Sequence, residues 1–467
     1  MSDAATDFRP LSLLVGSAYF MEQLDSTIIA PAVPDIAHAF GVDALNLDLS
    51  MTVYLLCSVI FIPVSGLLAG RWGTRSTFRL AMLVFVVSSA VCGAAGSLPV
   101  MIAARAVQGF SGALMVPVGR IAIVRTTPRP ALVGALAWMI TPAMLGPLLG
   151  PPLGGVIATF ASWRWIFWLN IPVGLACWAL ARRVVPQIVE HEEATFSVPE
   201  WLSLTAALAA LVAMLELANR HDVPAALYLA LGAAFVLAAA MHAGFARRSA
   251  RPLLDFTLLR FETFNTSFWT GSLVRVGYGA LPFLLPLMLQ LGLGYSAVDS
   301  GVVMLASGAI AFVTKTQTTR LLRRFGFRNV LIVNGVVCSL ALIVCSTFRA
   351  GWGLTLIALV VSAGGFSRSI QFNAIAAIAY ADLPDSKVSA ATTLNTAVQQ
   401  LAVMLGISVA TVVVGLSAQL GMRARPATVD FANAFMLVGL IALSTVPFYV
   451  RLKRRAGGEM SGHAARQ

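Results

Sequence analysis

Fourteen stretches of about 20 apolar residues follow one another along this chain, and each is long enough to cross a bilayer as a helix. They lie near residues 11–33, 49–69, 78–96, 99–124, 131–158, 163–184, 200–219, 224–246, 264–291, 298–319, 329–348, 352–381, 388–418 and 431–450. Only 11% of the residues are charged, whereas soluble domains carry about 25%. Backbone polar groups inside a bilayer must be satisfied within the chain, and helices achieve this. The sequence therefore predicts an all-α, multi-pass membrane protein.

The basic residues are distributed unevenly between the two sides of the predicted helices. Segments on one side hold 22 of the 32 Lys and Arg residues, and loops on the other side hold five. Because cytoplasmic loops carry the excess of basic residues, we expect both termini and residues 186–200 in the cytoplasm of a bacterial cell, with the helices in its inner membrane. The net charge of +12 then indicates contact with membrane lipid, and we expect no nucleic-acid partner.

The fifth stretch contains glycines and prolines that should disrupt a membrane helix. The residues concerned are Gly146, Pro147, Gly150, Pro151, Gly154 and Gly155. Proline removes a backbone donor, and such a helix persists in a bilayer only when its neighbours satisfy the freed groups. Small residues let a second helix approach closely. The run predicts a bent helix packed tightly against a neighbour.

A short motif occurs twice, after the second and the tenth stretch. It reads Arg71-Trp72-Gly73-Thr74-Arg75, preceded by Gly66, and then Arg324-Phe325-Gly326-Phe327-Arg328. Glycine allows a tight turn, and the arginines are expected at the level of the headgroups. Internal repeats of this kind indicate a transporter built from two helical bundles. We predict bundles at residues 1–185 and 263–467, joined by residues 186–262, which hold a linker and two inserted helices.

Several longer motifs resemble the fourteen-helix drug:proton antiporter family of the major facilitator superfamily. They are Leu24-Asp25-Ser26-Thr27-Ile28-Ile29, Arg105-Ala106-Val107-Gln108-Gly109, Met115-Val116-Pro117-Val118-Gly119-Arg120, the Gly146–Gly155 run, Trp163-Arg164-Trp165-Ile166-Phe167-Trp168-Leu169-Asn170-Ile171-Pro172, Leu281-Pro282-Phe283 and Leu383-Pro384-Asp385. The resemblance spans nearly the whole chain. Gly70 and Arg323 stand where the family's two loop motifs usually carry aspartate.

The resemblance implies a major facilitator fold, with two six-helix bundles related by pseudo-two-fold symmetry and two inserted helices. It also implies proton-coupled efflux by alternating access, driven by the proton gradient without a bound cofactor. The Gly146–Gly155 run is then the antiporter motif, and the two repeated loops gate the transport path. Arg105 matches the family arginine associated with proton coupling.

Two carboxylates and an arginine lie at membrane depth in the first half of the chain. Glu22 and Asp25 are three residues apart and share a helix face, and Arg105 lies at a depth similar to that of Asp25. An ion pair between Asp25 and Arg105 would reduce the cost of burying either charge. One interpretation is a structural salt bridge, and the other is a protonation switch that couples transport to protons.

The second half carries bases inside its helices without an acid. Arg275, Lys315 and Arg368 lie in the ninth, tenth and twelfth stretches. Candidate polar partners for a ligand are Gln371, Asn395 and Gln399, together with Arg120 in the fourth stretch. Arginine suits a carboxylate or phosphate, so we predict export of a small anionic metabolite or drug. The alternatives are bases that snorkel or cap helix carbonyls, and a broad multidrug/proton antiporter for hydrophobic or cationic drugs.

The sequence offers little support for other classes of protein. The five cysteines fall inside apolar stretches, with no metal-binding spacing. We find no nucleophile elbow or phosphate loop, and therefore expect neither an enzyme nor a metal site. A membrane sensor or receptor that binds without transport would be expected to carry a soluble signalling domain, and the short terminal segments predict none. We expect a monomer.

Overall fold

The computed structural model describes residues 8–189, 196–218, 223–249, 252–384, 387–423, 425–453 and 457, without the side chains of residues 129, 130, 133, 315, 316 and 389. Across this part of the chain the regular structure is helical. The α-helices are α1 (Arg9–Ile28), α2 (Val33–Phe40), α3 (Asp48–Trp72), α4 (Thr74–Ala94), α5 (Leu98–Thr126), α6 (Arg129–Phe160), α7 (Trp165–Trp168), α8 (Asn170–Val184), α9 (Val198–Leu217), α10 (Ala225–Arg248), α11 (Glu262–Leu287), α12 (Ala297–Cys345), α13 (Leu354–Ile378), α14 (Val388–Leu420), α15 (Thr428–Leu443) and α16 (Val446–Arg451). Residues 190–195, Asp385 and the side chain of Lys315, which carry some of the predictions above, lie outside the described set.

Thirteen helices of the described chain are long and apolar enough to cross a membrane, and each corresponds to one of the fourteen predicted stretches. The remaining stretch forms α1, whose 20 residues include Glu22, Gln23 and Asp25. These polar residues lower its mean hydropathy, and two of them, Glu22 and Asp25, are buried. The prediction of an all-α membrane protein is confirmed.

The chain divides into two compact units, Met1–Thr205 and Ala206–Gln467. The division falls inside α9, the first of the two predicted inserted helices. Its beginning belongs to the first unit, where Trp201 Nε1 donates a hydrogen bond of 2.8 Å to the carbonyl of Ile60 in α3. Because Pro63 interrupts the hydrogen bonding of α3 nearby, Trp201 satisfies a backbone group close to this break. The three-part division at residues 185 and 262 remains a prediction.

The two repeated motifs adopt the same local backbone. Gly73 has φ 83° and ψ 156°, and Gly326 has φ 73° and ψ 164°, which breaks α12 between two spans. Both conformations lie in the region that favours glycine. The first arginine of each motif, Arg71 or Arg324, is exposed. The repeat inferred from sequence is therefore present in the backbone of both units.

The last arginine of each motif makes a backbone contact that the sequence analysis did not predict. Arg75 Nε donates to the carbonyl oxygen of Val185, at the end of α8, at 2.6 Å. Arg328 donates through Nη2 to the carbonyl oxygen of Val450, in α16, at 2.9 Å. Carbonyls at helix ends lack intrahelical partners. Each arginine therefore connects its loop to the end of a later helix in the same unit, α8 for Arg75 and α16 for Arg328.

An ion pair and a hydrogen bond to Asp255 hold the segment that precedes α11. Lys387 Nζ donates to Asp255 Oδ2 at 3.0 Å, and the backbone N–H of Thr257 donates to Asp255 Oδ1 at 3.1 Å. Burial opposes ionisation of Asp255, but the bonds from Thr257 and Lys387 lower the pKa of this carboxyl below its usual value. This ion pair connects the segment after α10 to the start of α14.

The glycines of the Gly146–Gly155 run bring α6 against α1. A Cβ added at Gly146 would lie 2.7 Å from Cβ of Gln23, and one at Gly150 or Gly154 would overlap Thr27 Oγ1 or the carbonyl oxygen of Ile28. The predicted tight packing is confirmed. The helix continues through its prolines from residue 129 to residue 160. These glycines of α6 therefore allow the close approach of α1, the helix that carries Glu22 and Asp25.

We expect Gly154→Ala to destabilise the protein, because its methyl group would overlap a backbone oxygen of α1. Overpacking of this kind costs about 1–3 kcal/mol, so the midpoint of thermal unfolding of the purified protein should fall. Gly232→Ala in α10 is the matched control, since a Cβ there meets only the end of the Met214 side chain at 3.9 Å. Equal midpoints for the two variants would contradict the close packing of α6 on α1.

Candidate functional site

A buried ion pair joins α1 to α5 in the first unit. Arg105 donates through Nη1 to Asp25 Oδ2, and the two residues are 0% and 1% exposed. The sequence predicted this pair from the similar depth of the two residues. Inside a protein, an unpaired charge at such a position is very costly, and an opposite charge alongside reduces the cost of burying either one.

Polar side chains from neighbouring helices complete the surroundings of Asp25. Asn170 Nδ2 donates to Asp25 Oδ1 at 2.8 Å, and Arg105 also donates to Gln108 Oε1 at 2.8 Å. The other end of Gln108 donates to Ser89 Oγ at 2.6 Å. The network thus draws on α1, α4, α5 and α8, and all its members are buried. Among the described residues the Nε atom of Arg105 has no hydrogen-bond partner, but the other bonds of this buried network favour one arrangement of its members.

The sequence analysis missed four members of this site, namely Gln108, Asn170, Ser89 and Tyr54. Gln108 and Asn170 lie within motifs that were recognised, but neither had been given a role. Tyr54 in α3 lies outside those motifs, and its ring packs under the Arg105 guanidinium at 4.3 Å, within the range of a cation–π contact. Gln108 and Asn170 could have been chosen as candidates because they lie in the recognised motifs, whereas nothing in the local sequence distinguished Tyr54.

Glu22 occupies a different environment from Asp25, although the two residues share α1. Its side chain is buried, and among the described residues its Oε2 atom has no hydrogen-bond partner. The Tyr54 hydroxyl is likewise without a partner there. Both groups lie near Gly112, since a Cβ at that position would be 3.4 Å from Tyr54 Oη and 3.5 Å from Glu22 Oε1. Asp25 is held by Arg105, by Asn170 and by Gln108, whose Nε2 donates to Asp25 Oδ1 at 3.4 Å. The site therefore contains one carboxylate with three partners and one carboxyl group, that of Glu22, with an unsatisfied oxygen.

Arg275 on α11 and Arg368 on α13 are linked through two aromatic side chains in the second unit. The guanidinium of Arg275 lies 4.8 Å from the centre of the Phe372 ring, and that of Arg368 lies 5.8 Å from the centre of the Tyr278 ring. The two rings contact each other edge to face at 6.2 Å. Each arginine thus packs on an aromatic residue of the other helix, and the two aromatic residues join the pairs. Sequence analysis predicted the bases but not this aromatic support.

No salt bridge involving either arginine occurs within the described part of the chain. Arg275 is 7% exposed, and its hydrogen bond runs from Nη1 to the Gly271 carbonyl at 3.2 Å. Arg368 is half-buried. Arginine has five donors, so these two side chains retain donors that a ligand could use.

The remaining predicted residues occupy several separate positions. Gln371 is buried between helices, where its Oε1 accepts a hydrogen bond of 2.9 Å from Asn334 Nδ2, an arrangement suited to packing α13 against α12. Asn395 and Gln399 are partly exposed and one turn apart on α14. Arg120 lines a cavity in the first unit. The role of these four residues in substrate binding remains a prediction.

The described residues contain no group of three His, Cys, Asp or Glu side chains that could hold a metal ion. All five cysteines are free thiols, and Cys57 alone among them is not fully buried.

Charged groups inside membrane helices usually mark substrate, ion or proton pathways. An all-α membrane protein with such groups in each of two helical units is typical of a secondary transporter. The model of the Major Facilitator Superfamily matches residues 15–407. The chain belongs to the major facilitator superfamily and is a membrane transporter.

Individual relatives agree with this assignment. The chain is 31% identical over 448 residues to the protein named "Putative multidrug resistance protein MdtD" in Klebsiella pneumoniae, a match that covers 96% of this chain and 95% of that protein. It is 32% identical over 407 residues to the protein of the same name in Salmonella paratyphi A, covering 87% and 86%. Among solved structures, the D-xylose-proton symporter superposes with a TM-score of 0.67 at 14% identity, over 96% of this chain and 98% of the symporter. This last likeness supports the fold.

The two carboxyl groups of α1 should respond differently to neutralisation. Asp25→Asn removes one partner of a buried ion pair, which typically costs about 3–5 kcal/mol, whereas Glu22→Gln changes a group whose Oε2 atom has no partner. We expect a clear fall in the unfolding midpoint for Asp25→Asn and little change or a rise for Glu22→Gln. Thermal unfolding of the two purified variants, side by side with the parent protein, measures this. A larger loss in Glu22→Gln would show that the contacts of the two carboxyl groups have been assigned wrongly.

Proposed function

We propose that this transporter exports a small organic anion in exchange for protons, and that Arg275 and Arg368 bind the anion. The observation that carries the proposal is that two guanidinium groups inside membrane helices are linked by a pair of aromatic rings and have no carboxylate partner among the described residues. A charge at the centre of a membrane helix costs about 2.5–3.5 kcal/mol on insertion scales. A bound anion would lower that cost, so these two arginines favour a ligand of opposite charge.

The geometry of the two arginines supports a carboxylate or phosphate as the bound group. A guanidinium can donate two parallel hydrogen bonds to such a group. The contacts with Phe372 and Tyr278 support the guanidinium groups, and each guanidinium has five donors with which it could bind a ligand. Side chains held before binding lose less entropy when the ligand arrives.

The proton site of the proposal consists of Glu22, Asp25 and Arg105. With both carboxyl groups ionised, these three residues carry a net charge of minus one, and one added proton makes the set neutral. Neutralisation reduces the cost of burying the set in a medium of low dielectric constant. A conformational change that alters access to water, or separates Asp25 from Arg105, would therefore change proton binding. Through this dependence of proton binding on conformation, the proton gradient would drive export.

The cellular setting follows from the charge of the loops. We place the protein in the bacterial inner membrane as a monomer with both termini in the cytoplasm, on the basis of the 22 basic residues on one side and five on the other. Binding from the cytoplasm and release outside would then constitute efflux.

A broad-specificity multidrug/proton antiporter for hydrophobic or cationic drugs is the second candidate. It is favoured by the multidrug resistance named for the relatives in Klebsiella and Salmonella. It is also favoured by the rings of Tyr278 and Phe372, which could contact a flat apolar ligand. In this candidate the two arginines maintain the packing of α11 and α13 and do not bind substrate.

Substitution of the arginines separates the two candidates. In the anion exporter, Arg275→Gln and Arg368→Gln should each weaken anion binding by about 2–5 kcal/mol, and Lys should restore only part of the affinity because it lacks the forked geometry. The measurement is binding to purified protein by thermal shift and calorimetry, with a panel of mono-, di- and tricarboxylates and with tetraphenylphosphonium as a lipophilic cation. Arg349→Gln, in an exposed loop, is the control for loss of one positive charge.

The two candidates predict opposite patterns in this comparison. Loss of carboxylate binding in both Gln variants, with the control unchanged, supports the anion exporter. Unchanged carboxylate binding in both variants, or binding of tetraphenylphosphonium alone, contradicts it and supports the multidrug pump.

A further inference from the structure

The three contacts that the structure describes for the Asp25 carboxyl group all use a hydrogen-bond donor of the neighbouring residue. Arg105 Nη1 donates to Asp25 Oδ2, and Asn170 Nδ2 and Gln108 Nε2 donate to Asp25 Oδ1 at 2.8 and 3.4 Å. An ionised carboxylate only accepts hydrogen bonds, whereas a protonated carboxyl group also has a donor that needs an acceptor. These contacts therefore match the needs of a carboxylate and not those of a protonated carboxyl group.

Glu22 has a neighbour of a different kind, which can both donate and accept. Glu22 Oε2 and the Tyr54 hydroxyl each lack a hydrogen-bond partner in the described ranges, and the two residues are 9% and 3% exposed. Glu22 Oε1 and Tyr54 Oη lie 3.5 and 3.4 Å from the position of a Cβ added at Gly112. A tyrosine hydroxyl can donate to a carboxylate and can accept from a protonated carboxyl group. The Tyr54 hydroxyl can therefore serve Glu22 in either protonation state.

The ring and backbone of Tyr54 are held by contacts with α5 and within α3. The Arg105 guanidinium lies 4.3 Å from the centre of the Tyr54 ring. A Cβ added at Gly109 would lie 2.2 Å from the Tyr54 carbonyl oxygen, so α5 packs directly on this turn of α3. Ser58 Oγ donates to the same carbonyl at 2.9 Å. A side chain held in this way loses less entropy when its hydroxyl forms a hydrogen bond.

The charges near Glu22 also favour a proton at this residue. The titratable and charged groups around Glu22 and Tyr54 are Asp25 and Tyr19 on α1, and Arg105 and Arg120 on α5. Arg120 acts on Tyr19, whereas the charge that acts on Glu22 is that of Asp25. Two ionised carboxyl groups on one helix face repel each other, and Arg105 balances the charge of only one. A proton on Glu22 removes this repulsion.

We propose that Glu22 is the group that binds the transported proton, and that Tyr54 is its positioning residue, while Asp25 stays paired with Arg105. The proposal rests on the proton site of the proposed function and assigns the roles within it. The proton adds to a carboxylate oxygen of Glu22 and later leaves from it, so only this O–H bond forms and breaks. Asp25 is needed for its charge. In Asp25→Asn the set is already neutral with Glu22 ionised, so a proton no longer relieves an excess charge.

Infrared difference spectroscopy of the purified full-length protein in lipid films follows this proton without substrate or transport. A protonated carboxyl group has a carbonyl band apart from the bands of carboxylates and of peptide groups. Spectra are recorded over a series of pH values. We expect a carboxyl band that appears in the parent protein as the pH falls and that is lost in Glu22→Gln.

Two further variants test the role of the Tyr54 hydroxyl. Tyr54→Phe keeps a ring beside Arg105 and removes the hydroxyl. Because hydrogen bonds to a charged group are stronger than those to a neutral one, the loss affects the ionised form of Glu22 more. The midpoint of the Glu22 band should therefore move to higher pH by about 0.5–1 unit, the equivalent of one hydrogen bond. The frequency of the band should change as well, since the protonated group loses its acceptor.

Gly112→Ala tests the same contact without removing either polar group. Its methyl group would touch both Tyr54 Oη and Glu22 Oε1 at ordinary contact distances of 3.4 and 3.5 Å, and should hinder the bond between them, with a shift in the same direction. Tyr449→Phe is the matched control, because it removes a buried hydroxyl of the second unit that also lacks a partner in the described residues. It should leave the band unchanged.

Each result supports or overturns the proposal. A band that persists in Glu22→Gln but is lost in Asp25→Asn would assign the proton to Asp25, and the lack of a titrating band in the parent protein would leave no carrier at this site. An unchanged band in both Tyr54→Phe and Gly112→Ala would remove the role of Tyr54, and either variant suffices if the other does not fold. Failure of anion binding at Arg275 and Arg368 would leave these spectra unaffected, so the two proposals can fail separately.

Discussion

Asp25 and Arg105 are almost completely buried inside membrane helices, where neither could carry its charge without the other at acceptable cost. Their pairing constrains the first unit, because the partners that complete it come from several helices. Asn170 brings in α8, and Gln108 links α5 to Ser89 of α4. The glycines of α6 then hold α1 at close range. A change in the charge of Asp25 would therefore affect a large part of this unit.

The charged residues assigned to the two candidate sites differ in sign between the units. The first contains two carboxyl groups and one arginine at its polar centre, and the second contains Arg275 and Arg368, supported by Phe372 and Tyr278. Acids that can accept a proton and bases that can hold an anion are thus separated between the units. This division matches the two tasks of a proton-coupled anion exporter. The arginines of the second unit give less reason to expect a cation as substrate.

Much of the fold was predictable from sequence, because long apolar stretches and basic loops can be recognised without knowing which helices pack together. The Asp25–Arg105 pair could also be inferred, since burial forces opposite charges at equal depth together. The roles of Asn170 and Tyr54 could not, because they depend on how helices far apart in sequence pack. The same holds for Arg75 and Arg328. Their positions predicted headgroup contacts, whereas the structure directs them to backbone carbonyls at helix ends.

Proton movement in proteoliposomes tests most directly whether the carboxylates of α1 drive anion export. The carboxylate that binds best is supplied on one side, a pH gradient is imposed, and substrate accumulation is followed at a temperature where each variant is folded. The account predicts uphill accumulation by the parent protein. It also predicts none by Asp25→Asn, although this variant binds the anion with parent-like affinity. Accumulation by Asp25→Asn at the parent rate would contradict the account and leave the ion pair with Arg105 a structural role alone.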